Sequence, residues 1–208
     1  MLDASGSAGS GRRPECDVIR WAETTPVRWR NGGGFTHELI CVPPGEHFDW
    51  RISVADVAGS GEFSSFEGVD RVIVLVDGTR MILTVGGVPS ELRLFAPFRF
   101  DAGLLSSCEV PRGPTRDLNI MTRRDRCTAR VEVVRVHGSA SFRPRDLGVE
   151  LFMPLGGPLT ASGAYIPRTV LERFDVLRIV GAFSLTVTGV GHVARIRMEH
   201  FADWPDRS

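Results

Sequence analysis

The strongest constraint on the fold is the spacing of apolar residues, which alternate with polar residues or form short blocks between glycines and prolines. In residues 50–57, for example, Trp50, Ile52 and Val54 alternate with Arg51 and Ser53. A period of two is typical of a strand with one buried face. Helical periodicity is almost absent, and 23 Gly and 13 Pro supply turns at short intervals. We therefore predict an all-β protein.

Strand patterns of this kind recur along the whole chain. The predicted strands are residues 18–21, 37–42, 50–57, 71–76, 80–85, 91–95, 105–110, 115–122, 129–137, 150–154, 176–180, 183–188 and 192–200. Two turn signals join neighbouring strands: Asp77-Gly78, a type I′ hairpin sequence, and Gly189-Val190-Gly191. Short, evenly spaced strands favour a sandwich or barrel. The charged stretch 123–127 near the midpoint fits a duplicated barrel.

Composition excludes several classes of function. All 25 basic residues are arginine, so lysine Schiff bases and the lysine of a P-loop are unavailable. The formal net charge is zero, whereas nucleic-acid binders are usually basic. No apolar run is long enough for a transmembrane helix. Four cysteines without a C-x-x-C pair fit a reduced, cytoplasmic protein, and residues 1–15 have the Ser/Gly/Ala composition of a disordered leader.

The histidines do not form a local metal motif. No His-x-His or His-x-x-x-His pair occurs, and Cys41 stands where a second histidine would follow His37-Glu38. A ligand set assembled from distant strands stays open as a minor alternative. We therefore expect no metal and no cofactor.

The first candidate site segment surrounds three glycines, Gly32 to Gly34, just before a predicted strand. Glycines here let the backbone adopt positive φ or approach a ligand closely. In the strand that follows, Thr36 and Glu38 share one face, whereas His37 points to the other. A bulged turn with a solvated strand is the alternative interpretation.

Two further segments place polar side chains on one strand face. In residues 48–56 alternation puts Phe48, Trp50, Ile52 and Val54 on a core face, and Arg51 with Ser53 on the other. A guanidinium binds a carboxylate through two parallel hydrogen bonds. In residues 115–121 the polar face carries Asp117 and Asn119, followed by Met121. These faces line a polar cavity or are exposed to solvent, and the pattern alone does not decide which.

Taken together, five segments in this order resemble the HutD/Ves family. They are Trp29-Arg30-Asn31-Gly32-Gly33-Gly34 with Thr36 and Glu38, Phe48-Asp49-Trp50-Arg51-Ile52-Ser53-Val54-Ala55-Asp56, Gly61-Glu62-Phe63-Ser64-Ser65-Phe66-Glu67-Gly68 with Asp70 and Arg71, then Phe95, Pro97, Phe98 and Phe100, and finally Asp117-Leu118-Asn119-Ile120-Met121-Thr122-Arg123. The resemblance implies a bicupin, two cupin-like β-barrels in one chain, which we place at residues 16–124 and 125–204. It also implies a metal-free pocket in the first barrel and a link to bacterial histidine utilisation.

The resemblance assigns candidate ligand-binding residues but no catalytic ones. On it, the polar faces line the first barrel, and we expect the pocket to be formed by Trp29, Asn31, Thr36, Glu38, Arg51, Ser53, Asp117, Asn119 and Met121. Arg71 is either a second cation or a partner of Asp70. The second barrel is expected to be mainly scaffold, with Arg195 and Arg197 on a solvated surface.

Three functions remain open at this stage. The first is a sensor or flux modulator that binds a small acidic metabolite such as formylglutamate, with Arg51 holding a carboxylate. The second is a metal-free isomerase or hydrolase with Glu38 or Asp117 as general base. The third is an interaction protein that forms a homodimer. None of the three involves nucleic acid or a membrane.

Overall fold

The computed structural model describes residues 14–145 and 148–200, which consist almost entirely of strands. Besides a single turn of 3-10 helix at Trp21–Glu23, these residues form β1 (Glu15–Ile19), β2 (Val27–Arg28), β3 (Gly34–Val42), β4 (Trp50–Val57), β5 (Gly61–Phe63), β6 (Val69–Asp77), β7 (Met81–Val85), β8 (Val88–Leu92), β9 (Pro97–Asp101), β10 (Ser106–Glu109), β11 (Thr115–Arg123), β12 (Cys127–Phe142), β13 (Val149–Pro154), β14 (Leu159–Gly163), β15 (Ile166–Leu171), β16 (Val176–Val180) and β17 (Leu185–His200). The all-β prediction is confirmed. Within the described ranges, no helix has the length and apolar character needed to cross a membrane.

Strands β2 to β11 form two sheets that face each other across an apolar core. The larger sheet has six strands in the order β2-β3-β4-β11-β6-β9, and the smaller has four in the order β5-β10-β7-β8. Ile73 and Leu75 of the larger sheet pack against Met81, Leu83 and Cys108 of the smaller one, and all five are buried. These two sheets together form the first barrel.

Strand β4 shows how alternation produces this arrangement. Its Ala55 and Val57 point into the first barrel, whereas Ile52 and Val54 belong to a different buried cluster on the opposite face of the sheet. The six-stranded sheet is therefore buried on both faces. Phe48 does not share the face of Trp50, as the alternation predicted, because β4 begins only at Trp50 and Phe48 packs beside Met121 instead.

The C-terminal strands β12 to β17, together with β1, form a seven-stranded sheet around a second core. β17 is 16 residues long and pairs with β12 along its whole length. Its first part also pairs with β14 and its last part with β13. This change of partner along β17 lets one sheet surround a single cluster that includes Phe152, Leu177, Leu185 and Val187.

An apolar layer joins the two halves. Ile52 and Val74 from the first half lie in the same buried cluster as Leu151, Met153 and Ile196 from the second. Burying an aliphatic side chain of this size stabilises a fold by roughly 1.5–3 kcal/mol. The two halves therefore stabilise each other through the outer faces of their sheets.

Strand β1 departs from the predicted boundaries. Its residues pair with β16, with Cys16 opposite Ile179, so β1 belongs to the sheet of the C-terminal half and not to the first barrel. Glu15, assigned to the leader, is the first residue of this strand. Residues 1–13 of the predicted leader lie outside the described residues, as do residues 201–204.

Both predicted hairpin turns are wrong. Asp77-Gly78 leads from β6 in the six-stranded sheet to β7 in the four-stranded sheet, so the strands that it joins do not pair. Gly78 has φ +96, and a Cβ there would lie 2.7 Å from Thr115 Cγ2. Gly189 lies inside the continuous strand β17, opposite Gly138 of β12. Local turn chemistry predicts a bend, but it does not determine which sheet the chain joins next.

Gly34, at the start of β3, marks a close approach between two backbones. A Cβ at this position would lie 2.2 Å from the carbonyl oxygen of Asp56 on β4. We expect Gly34→Ala to lower the free energy of unfolding by roughly 1–3 kcal/mol, the usual cost of overpacking. This corresponds to a fall in Tm of about 2–12 °C for a chain of this size.

Gly59→Ala is the matched control, since a Cβ at Gly59 meets nothing within 4 Å. Thermal unfolding followed by circular dichroism compares the two variants with the wild type. Equal Tm values for the two variants would contradict the close approach at Gly34.

Candidate functional site

The inner face of the six-stranded sheet carries polar side chains in successive rows across its strands. One row, formed by register partners on adjacent strands, consists of Cys41, Arg51, Met121, Arg71 and Phe100. The next row along the strands consists of Glu38, Ser53, Asn119 and Ile73, and the row after it of Thr36, Ala55, Asp117 and Leu75. Neighbouring strands lie about 4.8 Å apart. Pairing therefore brings the predicted polar residues of β3, β4 and β11 together on one face.

At the centre of these rows, a buried hydrogen-bonded chain links three side chains. Arg71 donates from Nε to Asn119 Oδ1 at 2.8 Å and from Nη2 to the same oxygen. Asn119 Nδ2 donates to Asp117 Oδ1 at 2.5 Å. Arg71, Asn119 and Asp117 are 7%, 3% and 0% exposed. The Asn119 amide thus connects a buried cation with a buried carboxylate.

The Arg71 guanidinium lies between two aromatic rings. Its Cζ is 4.7 Å from the ring centroid of Phe63 and 5.5 Å from that of Phe100, distances at which a ring face attracts a cation. Burial lowers the pKa of Arg71, and the nearby Asp117 carboxylate opposes this effect. An arginine nevertheless stays protonated in proteins. In the described residues its five N–H donors find one acceptor atom, Asn119 Oδ1.

Asp117 has one carboxylate oxygen without a partner. Its Oδ2 is buried and has no hydrogen-bond partner among the described residues. Burial raises the pKa of Asp117 to about 6, while Arg71 and the Asn119 hydrogen bond oppose the rise. A buried polar atom of this kind normally has a protein, ligand or water partner. Asp117 therefore offers a ligand one acceptor oxygen near neutral pH.

Arg51 and Glu38 form an ion pair at the more accessible side of the rows. Arg51 Nε lies 2.8 Å from Glu38 Oε2, and the two side chains are 22% and 46% exposed. Because the pair is partly solvated, its contribution to stability is small. Arg51 and Arg71 flank Met121 in one row, so two guanidiniums point into the same region of the barrel.

Two local hydrogen bonds stabilise the turn of the glycine-rich segment. Trp29 Nε1 donates to Thr36 Oγ1 at 2.8 Å, and the Gly33 N–H donates to Asn31 Oδ1 at 3.0 Å. Asn31 is exposed, and no contact joins it to the chain of Arg71, Asn119 and Asp117 in the described residues. Trp29 and Thr36 lie at the edge of the barrel, and the Trp29 ring packs on Phe63 at 6.0 Å between centroids.

Met121 and Ser53 lie between the polar side chains of the site. Met121 is 3% exposed and packs with Phe48, Val69 and Ala102 at one end of the barrel. Ser53, 4% exposed, lies between Glu38 and Asn119 in the register of the sheet. Both therefore adjoin the charged side chains from within the barrel.

Arg71 is the site residue that the sequence reasoning left undecided. It does not pair with Asp70, which instead binds Arg124 at 2.9 Å and Arg99 at 3.6 Å. The signal was present in β6, because Arg71 has the same parity as Ile73 and Leu75, whose apolar side chains face the barrel core. An arginine on a core face of a strand is unusual enough to mark a site.

A cleft of about 380 Å³ opens beside the row of Asp117. Its lining includes Val57, Asp56, Phe35 and Thr115. Thr115 lies two residues before Asp117 on the same face of β11, about 7 Å along the strand. Its hydroxyl is another buried group without a partner in the described residues. The cleft therefore reaches the strand end nearest to Asp117.

Other chemistry finds little support at this site. Cys108 faces the same core, but burial raises the pKa of its thiol to about 11, so it is not a ready nucleophile. Across the residues with described coordinates, no group of three or more His, Cys, Asp or Glu side chains is placed to hold a metal ion.

The family model HutD matches residues 22–195, most of the chain and all of the site described above. The chain belongs to the HutD family. The protein Ves of Citrobacter koseri is 46% identical over 108 residues, which make up 50% of this chain and 56% of that protein. The chain thus spans about half the length of the Ves relatives that it matches.

A second relative is an uncharacterised 21.2 kDa protein in the hutC 3′ region of Pseudomonas putida. It is 37% identical over 135 residues, which make up 61% of this chain and 70% of that protein. The chain is therefore similar both to Ves proteins and to a protein of the hutC 3′ region.

Solved structures support the same fold. HutD from Pseudomonas fluorescens superposes with a TM-score of 0.78 at 30% identity over 90% of this chain and all of that chain. A conserved protein of unknown function from Pseudomonas aeruginosa gives a TM-score of 0.83 at 27% identity and covers 89% of this chain and 99% of that one. A cupin-2 barrel protein of Leptotrichia buccalis, at 9% identity and TM-score 0.57 over 88% of this chain and all of that one, shows the fold alone. The predicted cupin-like fold is confirmed.

The second barrel of this HutD-family chain carries a different polar pair in the corresponding place. Arg195 and Arg197 of β17 pair with Phe152 and Glu150 of β13, as Asn119 and Met121 of β11 pair with Ile73 and Arg71 of β6. Glu150 thus stands where Arg71 stands in the first barrel.

Glu150 forms an ion pair with Arg195, and both of its carboxylate oxygens accept hydrogen bonds. Arg195 Nε donates to Glu150 Oε2 at 2.7 Å, and the Arg145 N–H donates to Oε1 at 3.1 Å. Arg195 Nη1 also donates to Glu132 at 3.2 Å. The prediction that Arg195 and Arg197 lie on a solvated surface is wrong, since their side chains are 14% and 22% exposed. Their strand face lines the second core and not the outside. Unlike Asp117, Glu150 has both oxygens satisfied.

The raised pKa of the buried Asp117 carboxyl predicts how the free energy of unfolding depends on pH. Because its folded pKa lies above the unfolded value of 3.8, the folded state binds the proton more tightly. Stability is therefore lost as pH rises from about 4 through about 6. The loss reaches up to about 3 kcal/mol. Asp117→Asn should remove this loss, so the variant gains stability relative to the wild type as pH rises.

Urea unfolding at several pH values between 4 and 7.5 measures this difference. Asp125→Asn is the control, because the Asp125 side chain is 74% exposed, and its profile should follow the wild type. A pH-independent difference between Asp117→Asn and the wild type would show that Asp117 titrates normally.

Proposed function

We propose that the first barrel binds a small acidic metabolite and that the protein acts as a sensor or flux modulator of histidine breakdown. The observation that carries this proposal is the buried, unpartnered Oδ2 of Asp117 beside the under-satisfied guanidinium of Arg71. Leaving the buried Asp117 oxygen unsatisfied costs about 1–3 kcal/mol. A ligand with matching donors and acceptors offsets that cost.

The charges of the site favour a ligand with a carboxylate. Arg51 and Arg71 supply two guanidiniums to one region of the barrel. Among the described side chains, the buried chain of Arg71, Asn119 and Asp117 contains one carboxylate, that of Asp117. Glu38 already occupies Arg51 with a carboxylate at 2.8 Å. Because Glu38 is nearly half exposed, a ligand carboxylate replaces it at little cost in desolvation.

The link to histidine comes from relatives and not from geometry. One relative is named HutD, and another is a protein of the hutC 3′ region. Formylglutamate, an acid of histidine breakdown, has two carboxylates and one formamide N–H. One carboxylate matches the guanidiniums of Arg51 and Arg71, and the N–H matches the free oxygen of Asp117. The second carboxylate is left for another donor of the barrel.

An enzyme is the second candidate, and one observation favours it. Asp117 has a pKa near 6 through burial, which suits a general base at neutral pH. Glu38 is a weaker candidate for that role because it is exposed and paired with Arg51. If chemistry occurs, Asp117 is the group that takes the proton.

Thermal unfolding with an acid panel tests the binding proposal. Histidine, urocanate, formiminoglutamate, formylglutamate and glutamate are added to wild type and to Arg51→Ala. A ligand at 100 times its Kd adds about 2.7 kcal/mol, or roughly 5–11 °C at this chain length. We expect a shift with formylglutamate that Arg51→Ala reduces, because a charge-assisted pair is worth about 1.5–3 kcal/mol.

Arg80→Ala is the matched control for the loss of an arginine. Arg80, just before β7, forms an ion pair with Glu91 of β8 at 3.0 Å, and Arg80→Ala is expected to leave the shift unchanged. Absence of a shift with every acid of the panel would refute the binding proposal.

Product analysis separates the two functions. Incubation of formylglutamate with wild type and with Asp117→Asn, followed by chromatography, shows whether the acid is converted. For a binding protein we expect no product with either form. Conversion by the wild type that is lost in Asp117→Asn would establish the enzyme instead.

A further inference from the structure

Ser106 is a second unpartnered polar group inside the first barrel, on the sheet that faces Asp117. It opens β10 in the four-stranded sheet and is 7% exposed. It shares the parity of Cys108, which belongs to the barrel core, whereas Ser107 between them is more accessible. The Ser106 side chain therefore points into the barrel.

The surroundings of Ser106 are apolar, so its hydroxyl is costly there. Its register partners are Phe63 on β5 and Val85 on β7, and both pack against the barrel core. The Ser106 Oγ is buried without a hydrogen-bond partner among the described residues. An alanine would fill this position without leaving a buried hydroxyl unpaired.

Ser106 also lies close to the cation of the site. The Phe63 ring that contacts the Arg71 guanidinium at 4.7 Å is the lateral neighbour of Ser106. Two residues further along β10, Cys108 is near enough to Asp117 and Arg71 for both charges to affect its pKa. Ser106 and Asp117 are thus unpartnered groups on opposite walls of one site.

We propose that Ser106 is a specificity-determining residue of the first barrel, whose hydroxyl donates to a second carboxylate of the ligand. This inference rests on the proposed function and narrows the ligand class to acids with two polar ends. The first carboxylate binds the guanidinium wall of β4 and β6, and the second reaches the four-stranded sheet. A monocarboxylate of the same length binds the guanidiniums of β4 and β6 but offers no acceptor to the Ser106 hydroxyl.

Two probes with one carbon skeleton test the inference. N-Formylglutamate has the second carboxylate, and N-formylnorvaline has a methyl group in its place. Isothermal titration calorimetry measures Kd for both with wild type, Ser106→Ala and Ser107→Ala. We expect Ser106→Ala to weaken N-formylglutamate about tenfold, the worth of one hydrogen bond to a charged group, and to leave N-formylnorvaline unchanged.

Ser107→Ala is the matched control, since it removes the same hydroxyl from the other face of the same strand. It should change neither Kd. The Tm of unliganded Ser106→Ala should equal or exceed that of the wild type, because an unpaired buried hydroxyl is removed.

The possible failures are distinguishable. Equal Kd values for N-formylglutamate in wild type and Ser106→Ala, or equal weakening of both acids, would overturn the role of Ser106 and leave the binding proposal standing. Failure of the wild type to bind either acid would overturn this inference, and the proposed function would fall with it if no acid of the thermal-unfolding panel binds either.

Discussion

Backbone pairing of β11 with β4 on one side and β6 on the other is the interaction on which the rest of the first half depends. It puts Leu118 and Ile120 into the apolar layer between the two halves. It also puts Asp117 and Asn119 into the barrel. A shift of one residue in this register would exchange the two faces. The charged chain would then lie in the apolar layer, so the packing of the two halves protects the geometry of the site.

The two barrels use one structural position in different ways. In the second barrel, Glu150 and Arg195 satisfy each other, and further partners complete the pair. In the first, an amide, Asn119, stands between the cation and the carboxylate, and it cannot satisfy both fully. Breaking a buried ion pair is strongly destabilising, so the second pair is suited to structure. The incomplete chain of the first barrel is suited to a ligand.

The elements that the sequence predicted well are those whose two faces differ in chemistry. β4 and β16 have the predicted bounds: β4 alternates apolar and polar residues after Asp49, and β16 is an apolar segment between Asp175 and Gly181. The sequence does not predict β14 and β15, since Pro167 and the small residues around Gly163 resemble a loop. Gly189 resembles a turn residue, yet β17 continues through it because β12 pairs with β17 on both sides of Gly189. Long-range pairing overrides local turn signals in these cases.

The sequence by itself determined the all-β class, the alternating faces of β4 and β11, and the polar residues that those faces carry. Alternation is a local property, and it depends only on the geometry of an extended backbone. The tertiary structure alone decided that Arg71 joins Asn119 and Asp117, that Asn31 stays outside, and that Ser106 faces them from the other sheet. Those relations join residues far apart in the chain, and only strand order and sheet packing bring them together.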